Sequence, residues 1–292
     1  MLDYDMPLYR PPSEAENLIL QVTLGCSFNK CSFCSMYRTK DYELRSIDDL
    51  KKDIERAARL DPQARRVFLA DGDALGAPTE HLLRVTELLH KSFPELQRIT
   101  SYAWPLNVLN KSPEELIELR AAGIKLLYVG IETGDDELLR IIRKGANAKM
   151  HGETIEKSRA AGMKVSATVI LGLGGKKYWQ QHVKGTAELI NDSPPNYLST
   201  LQLGLAPNIE NEFTERFKGQ YVPQDDDGML LEQRELLSLM APTRPVIFRS
   251  NHASNALALA GNLPKDSKRL INEVDDVRLG LLPKRPKWMR GY

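Results

Sequence analysis

Six stretches of strand character are each followed by a stretch of helix character, and this alternation limits the possible folds more than any other feature of the chain. The strand runs are Leu18–Leu24, Arg66–Ala70, Arg98–Tyr102, Leu126–Glu132, Lys164–Leu171 and Tyr197–Leu203. Helical patterns cover Ile47–Leu60, Thr79–His90, Pro113–Ala122, Glu137–Arg143, His151–Ala161 and Lys177–Ile190. The first starts after Ser46, a natural N-cap, and sets Leu50, Ile54 and Ala57 on one face. Gly123 and Gly162 stand just beyond two of these helices, where a left-handed residue ends a helix at little cost. Strands joined through helices pair in parallel by right-handed crossovers. The expected fold class is therefore α/β: an incomplete (β/α)6 TIM-like barrel with a C-terminal appendage. A chain of 292 residues has room for one such domain or for two small ones.

Residues 1–13 read as an extended arm, since Pro7, Pro11 and Pro12 oppose helix there. Residues 14–245 make the expected core, and 246–292 an appendage that closes the barrel mouth. Residues 206–229, rich in Pro, Asn, Asp and Gly, predict a long irregular excursion. A helix at Leu230–Met240, a short apolar run at Pro245–Phe248 and an amphipathic helix at Lys265–Val274 follow. A net charge of +1 gives no whole-protein attraction to nucleic acid or anionic membrane. No apolar run approaches the roughly 18 residues that span a bilayer. An odd cysteine count without an export signal points to the reducing cytoplasm.

All three cysteines lie within nine positions, Cys26, Cys31 and Cys34, in a Cys-x4-Cys-x2-Cys arrangement. The odd count opposes a disulfide framework. Structural zinc wants a closed set of four ligands, and the nearest histidine, His81, is far along the chain, so zinc requires a distant histidine to fold back. The favoured reading is a [4Fe–4S] cluster held by three thiolates, with one iron left open to a small molecule.

The cysteine run, with Phe33 just before its last member, resembles the signature of the radical S-adenosylmethionine superfamily. Its first spacer is one residue longer than the usual Cys-x3-Cys-x2-Cys. The resemblance covers roughly residues 14 to 245 and implies a [4Fe–4S] cluster and S-adenosylmethionine as cofactors. In parallel barrels reactive groups gather at the strand ends, and the family's segments fall there in order. Asp71-Gly72-Asp73, after the second strand, resembles the segment that meets the cofactor's amino group, with Ser101 at the third strand end beside it. Gly130-Ile131-Glu132-Thr133-Gly134 resembles a stretch of the coproporphyrinogen-oxidase-like and methylthiotransferase-like branches, where the residue matching Glu132 contacts the ribose or methionine end. Arg143 or Lys144 is a candidate partner for the cofactor carboxylate. Gly172 and Leu173, within Leu171-Gly172-Leu173-Gly174-Gly175, resemble the segment that borders adenine.

The resemblance further implies a low-potential electron donor such as flavodoxin or ferredoxin, and hydrogen abstraction from an unidentified small organic substrate. With no cysteine beyond the three, a second all-cysteine cluster is excluded. His252, in Ser250–Asn255, is a candidate for moving substrate protons, although a capped turn explains the same residues. Arg278, Lys284, Arg285, Lys287 and Arg290 with Trp288 form a basic tail, which keeps an RNA-modifying enzyme as an alternative. A non-catalytic iron–sulfur or zinc protein is the alternative from another class.

Overall fold

The computed structural model describes residues 2–291. It has a mostly parallel sheet of eight strands flanked by helices, an α/β fold of the partial-barrel type. Two compact units divide the chain: Met1–Asn29, Met36–Val129 and Glu156–Val165 form one, and Lys30–Ser35, Gly130–Ile155 and Ser166–Tyr292 the other.

The first unit begins with β1 (Leu18–Gln21), β2 (Thr23–Leu24), β3 (Glu43–Leu44), α1 (Ile47–Leu60) and β4 (Arg66–Ala70). It continues through α2 (Thr79–Ser92), β5 (Arg98–Tyr102), α3 (Pro105–Leu109), α4 (Pro113–Ala121) and the start of β6 (Ile124–Glu132). Parallel ladders join β1 to β4, with Leu18 opposite Val67, and β4 to β5, with Val67 opposite Ile99. β1 ends at Gln21, short of the expected Leu24, because Thr23 and Leu24 leave this ladder for an antiparallel ribbon with β3. The Ser46 hydroxyl accepts from the Asp49 amide, and Leu50, Ile54 and Ala57 are buried, so α1 starts and faces as the sequence predicts. Burying a leucine or isoleucine stabilises by about 1.5–3 kcal/mol, so this face holds the helix in place. Gly123 (φ 109°) and Gly162 (φ 79°) both take the left-handed region. Ile19, Phe68 and Ala70 pack with Tyr4, Leu8, Tyr102 and Tyr128, the two strand tyrosines meeting Phe68 edge-on. The N-terminal arm is thereby tied to the unit, and the Tyr4 hydroxyl donates to the Ile19 carbonyl at 3.1 Å.

β6 carries the chain onward to α5 (Asp136–Ile141) and α6 (Ala148–Ala160), then β7 (Lys164–Leu171), α7 (Gly175–Asp192) and β8 (Tyr197–Gln202). Of the irregular excursion expected over 206–229, residues 217–225 are irregular, while α8 (Pro207–Arg216) and the first turn of α9 (Asp226–Leu239) flank them. Pro207 opens α8, whose Ile209 and Phe213 are buried, and the Asp225 carboxylate caps α9 by accepting from the Gly228 amide at 2.8 Å. The apolar run at 245–248 belongs to β9 (Val246–Ser250), a seventh strand, parallel to β8 with Tyr197 opposite Ile247. β10 (Leu259–Leu263) adds an eighth, antiparallel to β9, and α10 (Ser267–Arg278) follows. The second unit's core centres on Leu138, Ile142, Ile170, Leu173, Phe213 and Phe217. Among the described residues no helix is long and apolar enough to cross a membrane.

Candidate functional site

In the first unit the end of β4 supports the start of the cysteine loop. Asp71 is fully buried; its Oδ2 accepts from the Gly25 amide at 2.9 Å and from Lys40 Nζ at 3.0 Å, and its Oδ1 from Gln21 Nε2 at 3.1 Å. The Gly72 amide donates to the Gly25 carbonyl at 2.9 Å. A Cβ on Gly72 would stand 2.6 Å from Cys26 Cβ, so only glycine lets the strand end approach the loop this closely. Asp73, also fully buried, accepts from the Ser27 amide at 3.1 Å and from the Ser27 hydroxyl. Burial raises its pKa, although the Ser27 bonds pull the other way. Both carboxylates are thus engaged with residues beside Cys26. Phe28 of the same loop stacks on Trp104, ring centroids 4.7 Å apart. Ser101 is buried at the end of β5, its hydroxyl turned to the Tyr102 carbonyl at 2.8 Å.

In the second unit Ser32, between Cys31 and Cys34, is fixed to the end of α5: its amide and hydroxyl both donate to the Ile142 carbonyl, at 2.9 and 3.3 Å. Two residues further on, Lys144 donates to Glu132 Oε1 at 2.8 Å and lies over the Phe33 ring, 5.8 Å from its centroid. Burial alone would lower the lysine's pKa, but Glu132 and the negative charge of Cys31 and Cys34 as thiolates more than offset this and hold it above its ordinary value. Arg143, the other basic candidate, is exposed with φ 56°. The structure therefore separates two residues that the sequence leaves equivalent.

Glu132 itself is left-handed, with φ 62°, and the Thr133 amide bonds back to the Ile131 carbonyl at 2.7 Å. A hydrogen bond across one residue at this φ makes a γ-turn of the strained kind, which persists only where its surroundings impose it. Thr133 Oγ1 lies 2.7 Å from His182 Nδ1, and the Gly134 amide donates to Thr186 Oγ1 at 2.9 Å. A Cβ on Gly134 would collide with the Gly185 carbonyl, so α7 passes this turn at backbone contact. At the end of β7, Gly172 has φ 80°; its amide donates to Glu232 Oε1 at 2.8 Å and its carbonyl accepts from the Tyr221 hydroxyl at 3.2 Å. Leu173 points into the second unit's core.

Of four buried polar residues in this region, Thr133 belongs to the Gly130–Gly134 stretch, whereas Thr186, His182 and Glu232 carry no motif that singles them out. His182 and Thr186 sit in the otherwise apolar face of α7 with Tyr178 and Ile190, and Glu232 lies with Gln233 among the buried leucines Leu230, Leu236 and Leu237 of α9. Such intrusions are the only sequence signal available.

His252 is half-buried, and its Nδ1 is engaged within a turn, 2.8 Å from Ser254 Oγ and accepting from the Ser254 amide at 3.1 Å. Burial, with Arg285 adding to it, lowers its pKa. Of the basic tail, Arg290 pairs with both oxygens of Asp226 at 2.7 and 2.9 Å, and Arg278 with Asp227 at 3.5 Å.

The cysteines are half-buried and form no disulfide. Among the described residues no three histidine, cysteine, aspartate or glutamate side chains gather around a single metal ion. A cubane cluster does not require that, since each thiolate meets a different iron. Three soft donors on one short loop suit an iron–sulfur cluster, and in the second unit the buried Lys144 ammonium favours the thiolate form of Cys31 and Cys34.

Comparison with known proteins agrees. Residues 20–190, more than half the chain, match the family described as the Radical SAM superfamily. A Methanocaldococcus jannaschii protein provisionally named a methylthiotransferase is 23% identical over 185 residues, 58% of this chain and 39% of its own length. The heme chaperone HemW of Bacillus subtilis is 23% identical over 152 residues, 52% of this chain and 39% of its own. The chain thus spans about two-fifths of the curated relatives it matches. Coproporphyrinogen III oxidase (HemN) of Escherichia coli shares the fold with a TM-score of 0.56 at 17% identity, over 76% of this chain and 51% of that enzyme.

Proposed function

Starting from the chain's membership of the radical SAM superfamily, whose cofactors are a [4Fe–4S] cluster and S-adenosylmethionine, we propose that Cys26, Cys31 and Cys34 ligate the cluster and that the protein acts on a small organic substrate. Held there, a cluster would supply the one electron that splits S-adenosylmethionine into methionine and a 5′-deoxyadenosyl radical, the species that would take a hydrogen atom from the substrate. The observation that carries this reading is the anchoring of the cysteine loop. Within the first unit Asp71 and Asp73 hold the residues on either side of Cys26, and within the second the Ile142 carbonyl holds Ser32 between Cys31 and Cys34.

In this reading Lys144 offsets the charge that thiolate ligation brings to Cys31 and Cys34. Glu132 meets the ribose or methionine end of S-adenosylmethionine and the Gly172 turn borders its adenine. Phe33 packs beneath Lys144 and keeps water from the loop. The electron comes from a low-potential donor of the flavodoxin or ferredoxin kind, and a reducing cytoplasm suits both the thiols and the cluster.

Anaerobic reconstitution tests the reading. The expected product holds four irons and four sulfides per chain and releases 5′-deoxyadenosine only when dithionite is present. Cys31→Ala should lose both properties. Stoichiometric zinc without sulfide would end the proposal. Deuterium transfer from labelled candidate metabolites into 5′-deoxyadenosine then identifies the substrate.

A further inference from the structure

Two buried residues outside the family's motifs connect the strand-end turns that carry Glu132 and Gly172. His182 in α7 and Glu232 in α9 are both fully buried. His182 Nδ1 lies 2.7 Å from Thr133 Oγ1, and its Nε2 lies 3.2 Å from Glu232 Oε1. The second contact has ion-pair distance without hydrogen-bond alignment, as Nε2 has no hydrogen-bond partner. That same Oε1 accepts from the Gly172 amide at 2.8 Å, and Glu232 Oε2 accepts from Gln224 Nε2. Close polar contacts therefore run from Thr133 through His182 and Glu232 to the Gly172 backbone, with the His182–Glu232 step made by proximity and not by an aligned hydrogen bond.

A carboxylate and an imidazole without solvent access are costly to retain, and apolar side chains would pack this face of α7 more cheaply. What the pair contributes lies at its two ends. Each end fixes a left-handed turn, one at Glu132 (φ 62°) and one at Gly172 (φ 80°). The Glu132 turn is strained for a residue with a side chain and needs to be imposed from outside. Both turns lie at the ends of their strands, where the Lys144 bond to Glu132, the Thr186 bond to Gly134 and the Tyr221 bond to Gly172 act beside this pair.

We infer that His182 and Glu232 are positioning residues that hold the Glu132 and Gly172 turns in one mutual register for S-adenosylmethionine. The inference rests on the assignment of those turns to that ligand in the proposed function. His182 sets Thr133, and with it the direction of Glu132. Glu232 sets the Gly172 amide, and with it the adenine-side turn. A ligand that touches both turns then meets two fixed halves instead of two independent ones, and the ordering cost of binding falls.

The test uses the whole chain in two states. Cluster-free protein is titrated with S-adenosylhomocysteine, and reconstituted holoenzyme is assayed for 5′-deoxyadenosine. His182→Ala should weaken S-adenosylhomocysteine binding about tenfold, the lower end for loss of an outer-shell partner. It should raise the KM for S-adenosylmethionine by a similar factor while leaving kcat and iron content near wild type. Glu232→Gln should act in the same direction, and the double variant should be no worse than the poorer single one, as for residues in one network. His182→Asn, which keeps a polar group able to donate or accept beside Thr133, should recover part of the loss. Should His182→Ala fold poorly, Thr133→Val cuts the same path without opening a cavity of that size. Unchanged binding and KM in a folded variant would overturn the inference, as would a fall in melting temperature and kcat with KM intact. If wild-type holoenzyme made no 5′-deoxyadenosine, the functional reading would fail instead, and loss of S-adenosylhomocysteine binding in the variants would still support the brace.

Discussion

Lys144 and Glu132 are each less than one-tenth exposed, and their 2.8 Å ion pair decides what either residue tolerates. Removing one member of a buried pair leaves the other charged, desolvated and unmatched, which costs about 3–5 kcal/mol. Lys144→Met should therefore lower unfolding free energy by about that amount in urea titrations, whatever its effect on chemistry. The double variant Lys144→Met, Glu132→Gln should regain much of the loss, because no bare carboxylate remains. A loss under about 1 kcal/mol in the single variant would show that water reaches the pair. Gly130 allows the arrangement: a Cβ there would run into the Glu132 carboxylate, and Lys144 Nζ lies 3.2 Å from the same point. The sequence places Glu132 at a strand tip and offers Arg143 and Lys144 alike for the cofactor carboxylate; that Lys144 pairs with Glu132 is read only from the structure. The choice is made where α5 ends, since the Lys144 amide bonds to the Leu139 carbonyl and Arg143 takes φ 56°, sending one side chain inward and the other to solvent.

At the level of elements, α1, β4, β5 and β7 begin and end where periodicity and caps put them, because each is decided by neighbours in sequence. Residues 206–229 were unreadable for a physical reason: proline, asparagine and aspartate serve both irregular chain and helix starts. Pro207 at the first position of α8 and Asp225 at the cap of α9 are starts. The apolar residues Ile209, Phe213 and Phe217 recur every four positions, the spacing that outweighs composition once their burial is known. If α8 is a packed element, Phe213→Ala should destabilise by about 3–5 kcal/mol, a cavity cost that a solvated excursion would not incur. Denaturant melts that shift by less than about 1 kcal/mol would restore the irregular reading. The site divides in the same way. Cysteines, strand-end acids and glycines announce themselves by type and spacing, whereas His182 and Glu232 become partners only after α7 and α9 have packed. A single helix shows merely a polar residue on an apolar face.

For the molecule as a whole, a net charge of +1 predicts little about pH, so acid sensitivity must come from particular buried groups. His151 is the strongest of them. It is fully buried, neither ring nitrogen has a hydrogen-bond partner among the described residues, and burial, with the Lys144 charge adding to it, pushes its pKa down to about 3. The unfolded chain takes up this proton near the ordinary value of 6.5, while the folded chain resists it. Between those values the unfolded state binds more protons, so the stability this group contributes is complete above pH 6.5 and is lost as pH falls toward 3. One such group gives a slope of up to about 1.4 kcal/mol per pH unit. His81 and His252 have lowered pKa values too and add in the same sense, but both are less buried. Asp73 has the opposite sign: its raised pKa contributes stability below the ordinary 3.8 that is lost as pH rises through its folded value. From pH 6.5 downward the histidines should therefore set the trend before the carboxylates take over. Replacing His151 with leucine removes the proton acceptor and two unsatisfied nitrogens together, so His151→Leu should be as stable as wild type at pH 7 or more so. Its urea midpoint should also fall less steeply between pH 6.5 and 4.5. Parallel pH profiles for the two proteins would mean that the imidazole has a partner or water access, and would remove His151 as the source of the acid limb.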